Sequence, residues 1–94
     1  MKVAAKWDTA EFLASDEDIV AYINAALEDG DQALITTALG NIARARGMTE
    51  LARETGITRD GLYKALSPDG NPSFSTVQKV IKALGYKLDV AIPT

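Results

Sequence analysis

The stretch "LARETGITRDGLYKAL", Leu51 to Leu66, decides how the chain is read. Two short apolar-periodic segments meet at Gly56. Ala52 is small enough for a second helix to cross it closely, Gly56 adopts positive φ without a Cβ clash, and Ile57 plugs the turn. Leu51 is left for the core. On the second segment Leu62, Ala65 and Leu66 share one side, while Arg59, Asp60, Tyr63 and Lys64 fall on the other. That order of parts predicts a helix-turn-helix whose second helix presents a polar face.

The polar face has the chemistry of major-groove reading. Arg59 is a planar fork that pairs bidentately with a guanine edge or a phosphate, Tyr63 offers a ring to a thymine methyl, and Lys64 suits a phosphate. Asp60 either accepts from a cytosine amine or orients Arg59 or Lys64, and the second role is preferred because a carboxylate near phosphates is disfavoured. Gly61 is costly inside a helix by ~1 kcal/mol relative to Ala, so a close approach to DNA is its expected reason. Thr49 and Thr58 are expected as caps, and Ser73 lies in the loop after the pair. As helix starts bind anions, the three hydroxyl residues are candidate phosphate contacts.

Outward from this pair, Ser15 followed by Asp16, Glu17 and Asp18 opens a helix that Gly30 stops. Its apolar stripe is Ile19, Val20, Ile23, Ala26 and Leu27. Asp31 caps a second helix ending at Gly47, with Leu34, Ile35, Ala38, Leu39, Ile42 and Ala43 inward. "SPDGNPS", 67–73, is a loop by its turn residues, and Asn71 is read as turn chemistry. Ser75 and Gln78 form a capping box ahead of "VQKVIKAL", where Val77, Val80, Ile81 and Leu84 repeat at helical spacing before Gly85. "YKLDVAIP" then alternates Tyr86, Leu88, Val90 and Ile92 with Lys87, Asp89 and Ala91, the period of a strand. The expectation is one domain over 1–94: an arm at 1–14, a helical core at 15–85 and a strand at 86–94. The fold class is all-α, with five helices and a short C-terminal β-strand.

The chain of 94 residues has no cysteine and no histidine, so it lacks thiol nucleophiles and the commonest general base and metal ligand. A non-enzyme with no cofactor is expected. No apolar run approaches the ~20 residues of a membrane span, and the start "MKVAAKWDTAEF" lacks a secretory apolar core, so the expected compartment is the cytoplasm. The net charge of −3 conceals a split. In residues 1–40 Lys2 and Lys6 face eight acids, a balance of −6; residues 41–94 carry eight cations against five acids, +3. A basic half suits nucleic acid, and an acidic half suits a basic partner.

The segments "FLASDEDIVAYINAALEDGD", "ALGNIARARGMTELARETGI" and "LYKALSPDGNPSF" carry a family resemblance. The helix pair with its following loop and helix resembles phage-repressor-like (XRE-type) domains. Taken together, the segments resemble HI1420-type addiction-module antidotes. That resemblance implies an antitoxin paired with a small RelE-like toxin, neutralising it and repressing their shared operon. It implies base reading by Arg59, Asp60, Tyr63 and Lys64, and phosphate contact by Thr49 and Thr58. Glu50 stands where many phage-type repressors have Gln, which removes a phosphate contact there.

Combined with the charge split, this reading gives a toxin-facing region of Trp7, Phe12, Leu13, Asp16, Glu17 and Asp18, large apolar anchors beside an acidic rim. A ribonuclease must be positive to hold RNA, so an acidic partner suits it. A homodimer is expected, because two helix pairs read half-sites about one DNA turn apart, ~34 to 36 Å, and the orphan strand needs a partner. Two other readings use the same residues: a stand-alone repressor without a toxin, and an interaction module whose helix pair no longer binds DNA.

Overall fold

A computed structural model describes residues 15–93. Five helices occupy them: α1 (Asp16–Asp29), α2 (Gln32–Arg46), α3 (Met48–Thr55), α4 (Arg59–Ala65) and α5 (Phe74–Ala83). The chain is all-α. Local chemistry sets most boundaries. Ser15 Oγ accepts from the Asp18 N–H at 3.1 Å, and Asp31 Oδ1 accepts from the Ala33 N–H at 3.0 Å, each satisfying a backbone donor that the first helical turn leaves unpaired. Gly30 and Gly56 end α1 and α3 in the left-handed conformation at φ 83° and 77°.

Two caps differ from expectation. Helix α3 begins at Met48, with Gly47 as its N-cap and no side-chain cap, so Thr49 lies inside the first turn and caps nothing. The reason is packing: Met48 is 5% exposed and enters the core, which draws the helix start one residue earlier. Helix α5 begins at Phe74, and the cap is Ser73, whose Oγ accepts from the Thr76 N–H at 3.1 Å. Ser75 is therefore helical, and the capping box with Gln78 does not form.

The C-terminal strand is also corrected. Residues 86–93 form neither helix nor strand, and among the described residues there is no strand. Alternation selects which side chains share a face, but a strand exists only when a second one completes its ladder. Val90 and Ile92 accordingly stand 94% and 91% exposed. The turn before them is well defined. The Tyr86 N–H reaches the Ile81 carbonyl at 3.1 Å and the Gly85 N–H the Lys82 carbonyl at 2.9 Å, with Gly85 at φ 96°, the double closure that turns a chain sharply off a helix end.

One apolar core joins the helices. Ile19 and Ile23 of α1 meet Leu39, Ile42 and Ala43 of α2, Met48 and Leu51 of α3, Leu62 and Leu66 at α4, and Val80, Ile81 and Leu84 at α5. Three of the expected inward residues face out: Val20, Leu27 and Leu34 are 38–45% exposed. Thr36 is buried but satisfied, its hydroxyl donating to the Gln32 carbonyl at 3.1 Å. Burial of this core, at roughly 1.5–3 kcal/mol for each large aliphatic side chain, opposes the ordering entropy of the chain and fixes where α4 stands.

Candidate functional site

Helix α4 is anchored from behind. Leu62 and Leu66 are 0% and 1% exposed, Ala65 is half-buried, and Ile57 and Ala52 pack against the same cluster. Gly40 of α2 lets the end of α4 approach, for a Cβ there would collide with the Leu66 carbonyl oxygen. Thr58 caps α4, its Oγ1 accepting from the Gly61 N–H at 3.0 Å. That bond also supplies a local reason for Gly61: a Cβ at this position would meet Thr58 Oγ1 at 3.0 Å and Ile57 Cγ2 at 3.2 Å.

With its inner side fixed, α4 turns Arg59, Asp60, Tyr63 and Lys64 to solvent together. The Arg59 guanidinium lies over the Tyr63 ring at 5.8 Å, close enough for a cation–π attraction that preorders the fork without using its N–H donors. The other arginines are committed elsewhere. Arg44 donates to Asn41 Oδ1 at 2.6 Å, Arg46 to the Leu84 carbonyl at 3.1 Å, and Arg53 pairs with Glu50 at 2.6 Å. Among the described residues Asp60 forms no ion pair with Arg59 or Lys64.

The three hydroxyl candidates are all exposed but differ in use. Thr58 and Ser73 accept backbone N–H groups, and Ser73 also bonds the Thr76 hydroxyl at 3.1 Å; Thr49 is unengaged among the described residues. Asn71 is held otherwise than as turn chemistry: its Oδ1 accepts from Gln32 Nε2 at 3.0 Å, tying the loop to the start of α2.

On the acidic side, Asp16, Glu17 and Asp18 form the exposed first turn of α1, while Trp7, Phe12 and Leu13 lie outside the described residues. Asp16 Oδ1 accepts from the Tyr86 hydroxyl at 2.7 Å, and Arg46 approaches the same hydroxyl at 3.5 Å. Burial, then the hydrogen bond and charge of Asp16, push the Tyr86 phenol above its ordinary value, with Arg46 opposing. This link between the two ends of the described chain joins residues 70 apart, and no local pattern in the sequence signals it. Among the described residues no group of three or more His, Asp or Glu side chains gathers to hold a metal, and no helix is long and apolar enough to cross a membrane.

The family model described as "Probable addiction module antidote protein" matches residues 3–92. The chain belongs to the addiction-module antidote family. An "Uncharacterized protein" of Haemophilus influenzae is 54% identical over 84 residues, which cover 89% of this chain and 87% of that protein. No solved structure matches. Membership in an antidote family supports an antitoxin role and implies a toxin partner. The antidote thus presents two unlike surfaces, a cationic face on α4 and an acidic first turn on α1.

Proposed function

We propose that this antidote is the antitoxin of a type II toxin–antitoxin module, one that binds a small basic RelE-like toxin in the cytoplasm and represses its own operon. Repression runs through α3 and α4 acting as an XRE-type helix-turn-helix on operator DNA. The observation that carries the DNA half is Arg59: it lies over the Tyr63 ring and is exposed on a helix whose other side is locked into the core. Arg59 and Tyr63 read base edges, Lys64 holds a phosphate, and Thr49, Thr58 and Ser73 donate hydroxyl protons to the flanking backbone. Asp60 is solvent-facing and orients Arg59 or Lys64 on the operator, or accepts from a cytosine amine.

The toxin half rests on family membership and on the balance of −6 in residues 1–40. Asp16, Glu17 and Asp18, with Trp7, Phe12 and Leu13 before them, cover the cationic surface that a ribonuclease needs for RNA. Two copies bind the operator, since α4 of one copy spans only a few base pairs.

Co-expression with the small protein of the neighbouring gene tests the reading. Growth arrest by that protein is relieved by the full chain, and relief weakens with Asp16→Asn, Glu17→Gln and Asp18→Asn together. Arg59→Ala with Lys64→Ala abolishes the shift of upstream DNA and leaves growth relief intact. A neighbour that is harmless alone overturns the toxin half; an unaltered DNA shift overturns the assignment to α4.

A further inference from the structure

Beyond α4 and the first turn of α1, one hollow has no part in the proposed function. It measures about 620 Å³ and lies between α5 and residues 86–88, with Ile81, Tyr86 and Leu88 in its wall beside Lys79, Lys82 and Lys87. Leu88 is 40% exposed, and among the described residues none of the three lysines forms an ion pair. Among the described residues no acidic side chain lines the hollow either. Three like charges around an apolar wall suit an occupant that is both anionic and apolar.

The wall of this hollow also holds the start of α1. Asp16 Oδ1 accepts from the Tyr86 hydroxyl at 2.7 Å, and Ser15 caps the helix one residue earlier. The chain therefore enters α1 beside a residue of the hollow. Just upstream, "WDTAEFL", 7–13, combines Trp7, Phe12 and Leu13 with Asp8 and Glu11 and contains no cation. Seven residues reach at most ~25 Å when extended, whereas Lys79 and Lys82 are only ~4.5 Å apart along α5. Reach is no obstacle.

We infer that, in the free chain, residues 7–13 dock into this hollow. Trp7, Phe12 and Leu13 cover the apolar wall, and Asp8 and Glu11 meet the lysines at positions 79, 82 and 87. Apolar contact supplies the driving force, and opposite charge sets the orientation. A tether of a few residues holds the segment at a local concentration on the order of millimolar, so modest contacts suffice. Other occupants match only half of the hollow. A nucleic-acid backbone would neutralise the lysines but leave Leu88 uncovered, and a basic toxin would meet its own sign of charge. The docking itself depends on neither toxin nor operator. One consequence rests on the proposed function: a toxin that grips Trp7, Phe12 and Leu13 must first draw them out of the hollow.

Trp7 is the single tryptophan of the chain, so its fluorescence reports on this segment alone. In the full chain without partners its emission is blue-shifted from that of an exposed indole and shielded from acrylamide. Both properties hold on dilution from micromolar to nanomolar concentration, as a contact within one chain requires. Added salt raises the quenching of the native chain, because it screens the lysines from Asp8 and Glu11. Lys79→Glu with Lys82→Glu, and separately Asp8→Lys with Glu11→Lys, each abolish the blue shift and raise quenching several-fold. The four substitutions together restore both, since the facing charges are again opposite. A retained helical circular dichroism signal shows that exposure of Trp7 is not unfolding. An exposed indole in the native chain overturns the inference. So does shielding that these variants leave in place, that the combined variant fails to restore, or that fades on dilution and so belongs to a contact between copies. If Lys79→Glu with Lys82→Glu weakens the shift of upstream DNA without moving Trp7, the lysines hold phosphates and the inference falls. If the neighbouring gene product proves harmless while the charge swap succeeds, the antitoxin reading fails and the docking stands.

Discussion

Gly40 of α2 lies directly against the carbonyl oxygen of Leu66, so that a methyl group at position 40 would collide with that oxygen. The contact joins the longest helix to the end of α4 through backbone atoms, which cannot rotate aside as a flexible side chain would. Gly40→Ala therefore forces the helices apart and is expected to cost about 1–3 kcal/mol, the range of an overpacked core. Urea unfolding measures the cost, and the shift of α4 should weaken operator binding beyond what the lost stability explains. A neutral Gly40→Ala would show that the helices part without penalty.

The features legible in the sequence were those set within a few residues. Ser15, Asp31, Thr58, Gly30, Gly47 and Gly56 mark their boundaries because capping and left-handed turns depend on local chemistry. The polar face of α4 was legible for the same reason, since Leu62 and Leu66 at i and i+4 fix which side is buried. Features that depend on distant partners were not. Thr49 resembles a cap, but burial of Met48 overrides it; the alternation of residues 86–92 resembles a strand, but no second strand completes it. The Gln32–Asn71 and Asp16–Tyr86 bonds join residues 39 and 70 apart, beyond the reach of any periodicity.

The cap of α5 separates two nearby serines. Ser73 Oγ satisfies the Thr76 N–H, whereas Ser75 is exposed within the first turn. Ser73→Ala is expected to destabilise by ~1 kcal/mol and Ser75→Ala by a few tenths at most. Thermal or urea unfolding of the pair checks this, and the reverse order would restore the Ser75 capping box.

Tyr86 predicts an alkaline limb in stability. Its phenol is raised above the ordinary value of 10.0, mainly by burial and then by Asp16. A raised folded pKa means that the folded chain keeps a proton which the unfolded chain releases. The contribution is full below pH 10.0, the unfolded value, and is lost as pH rises through the folded value. Tyr86→Phe, which cannot ionise, should flatten that limb and lose the bond to Asp16 at neutral pH. Ultraviolet titration of the tyrosines, compared between the native chain and Tyr86→Phe, reads the shift directly; a late phenolate that survives the substitution would refute it.

On the proposed operator, Arg59 and Lys64 should fail in different ways. Lys64 is a point charge suited to a phosphate, and neutralising a phosphate releases condensed counterions. Lys64→Ala therefore lowers affinity about equally for every sequence and reduces the steepness of log affinity against log salt by about 1. Arg59 lies over the Tyr63 ring at 5.8 Å, and its planar fork matches a guanine edge. Arg59→Ala should cost about 1–3 kcal/mol on the operator and far less on unrelated DNA, so that specificity relaxes. Tyr63→Leu removes the ring beneath the guanidinium together with Tyr63's own base contact, and should weaken operator binding while leaving the salt slope unchanged. Equal losses on operator and unrelated DNA for Arg59→Ala would make Arg59 another phosphate contact, and base reading would then have to come from Tyr63 or from another element.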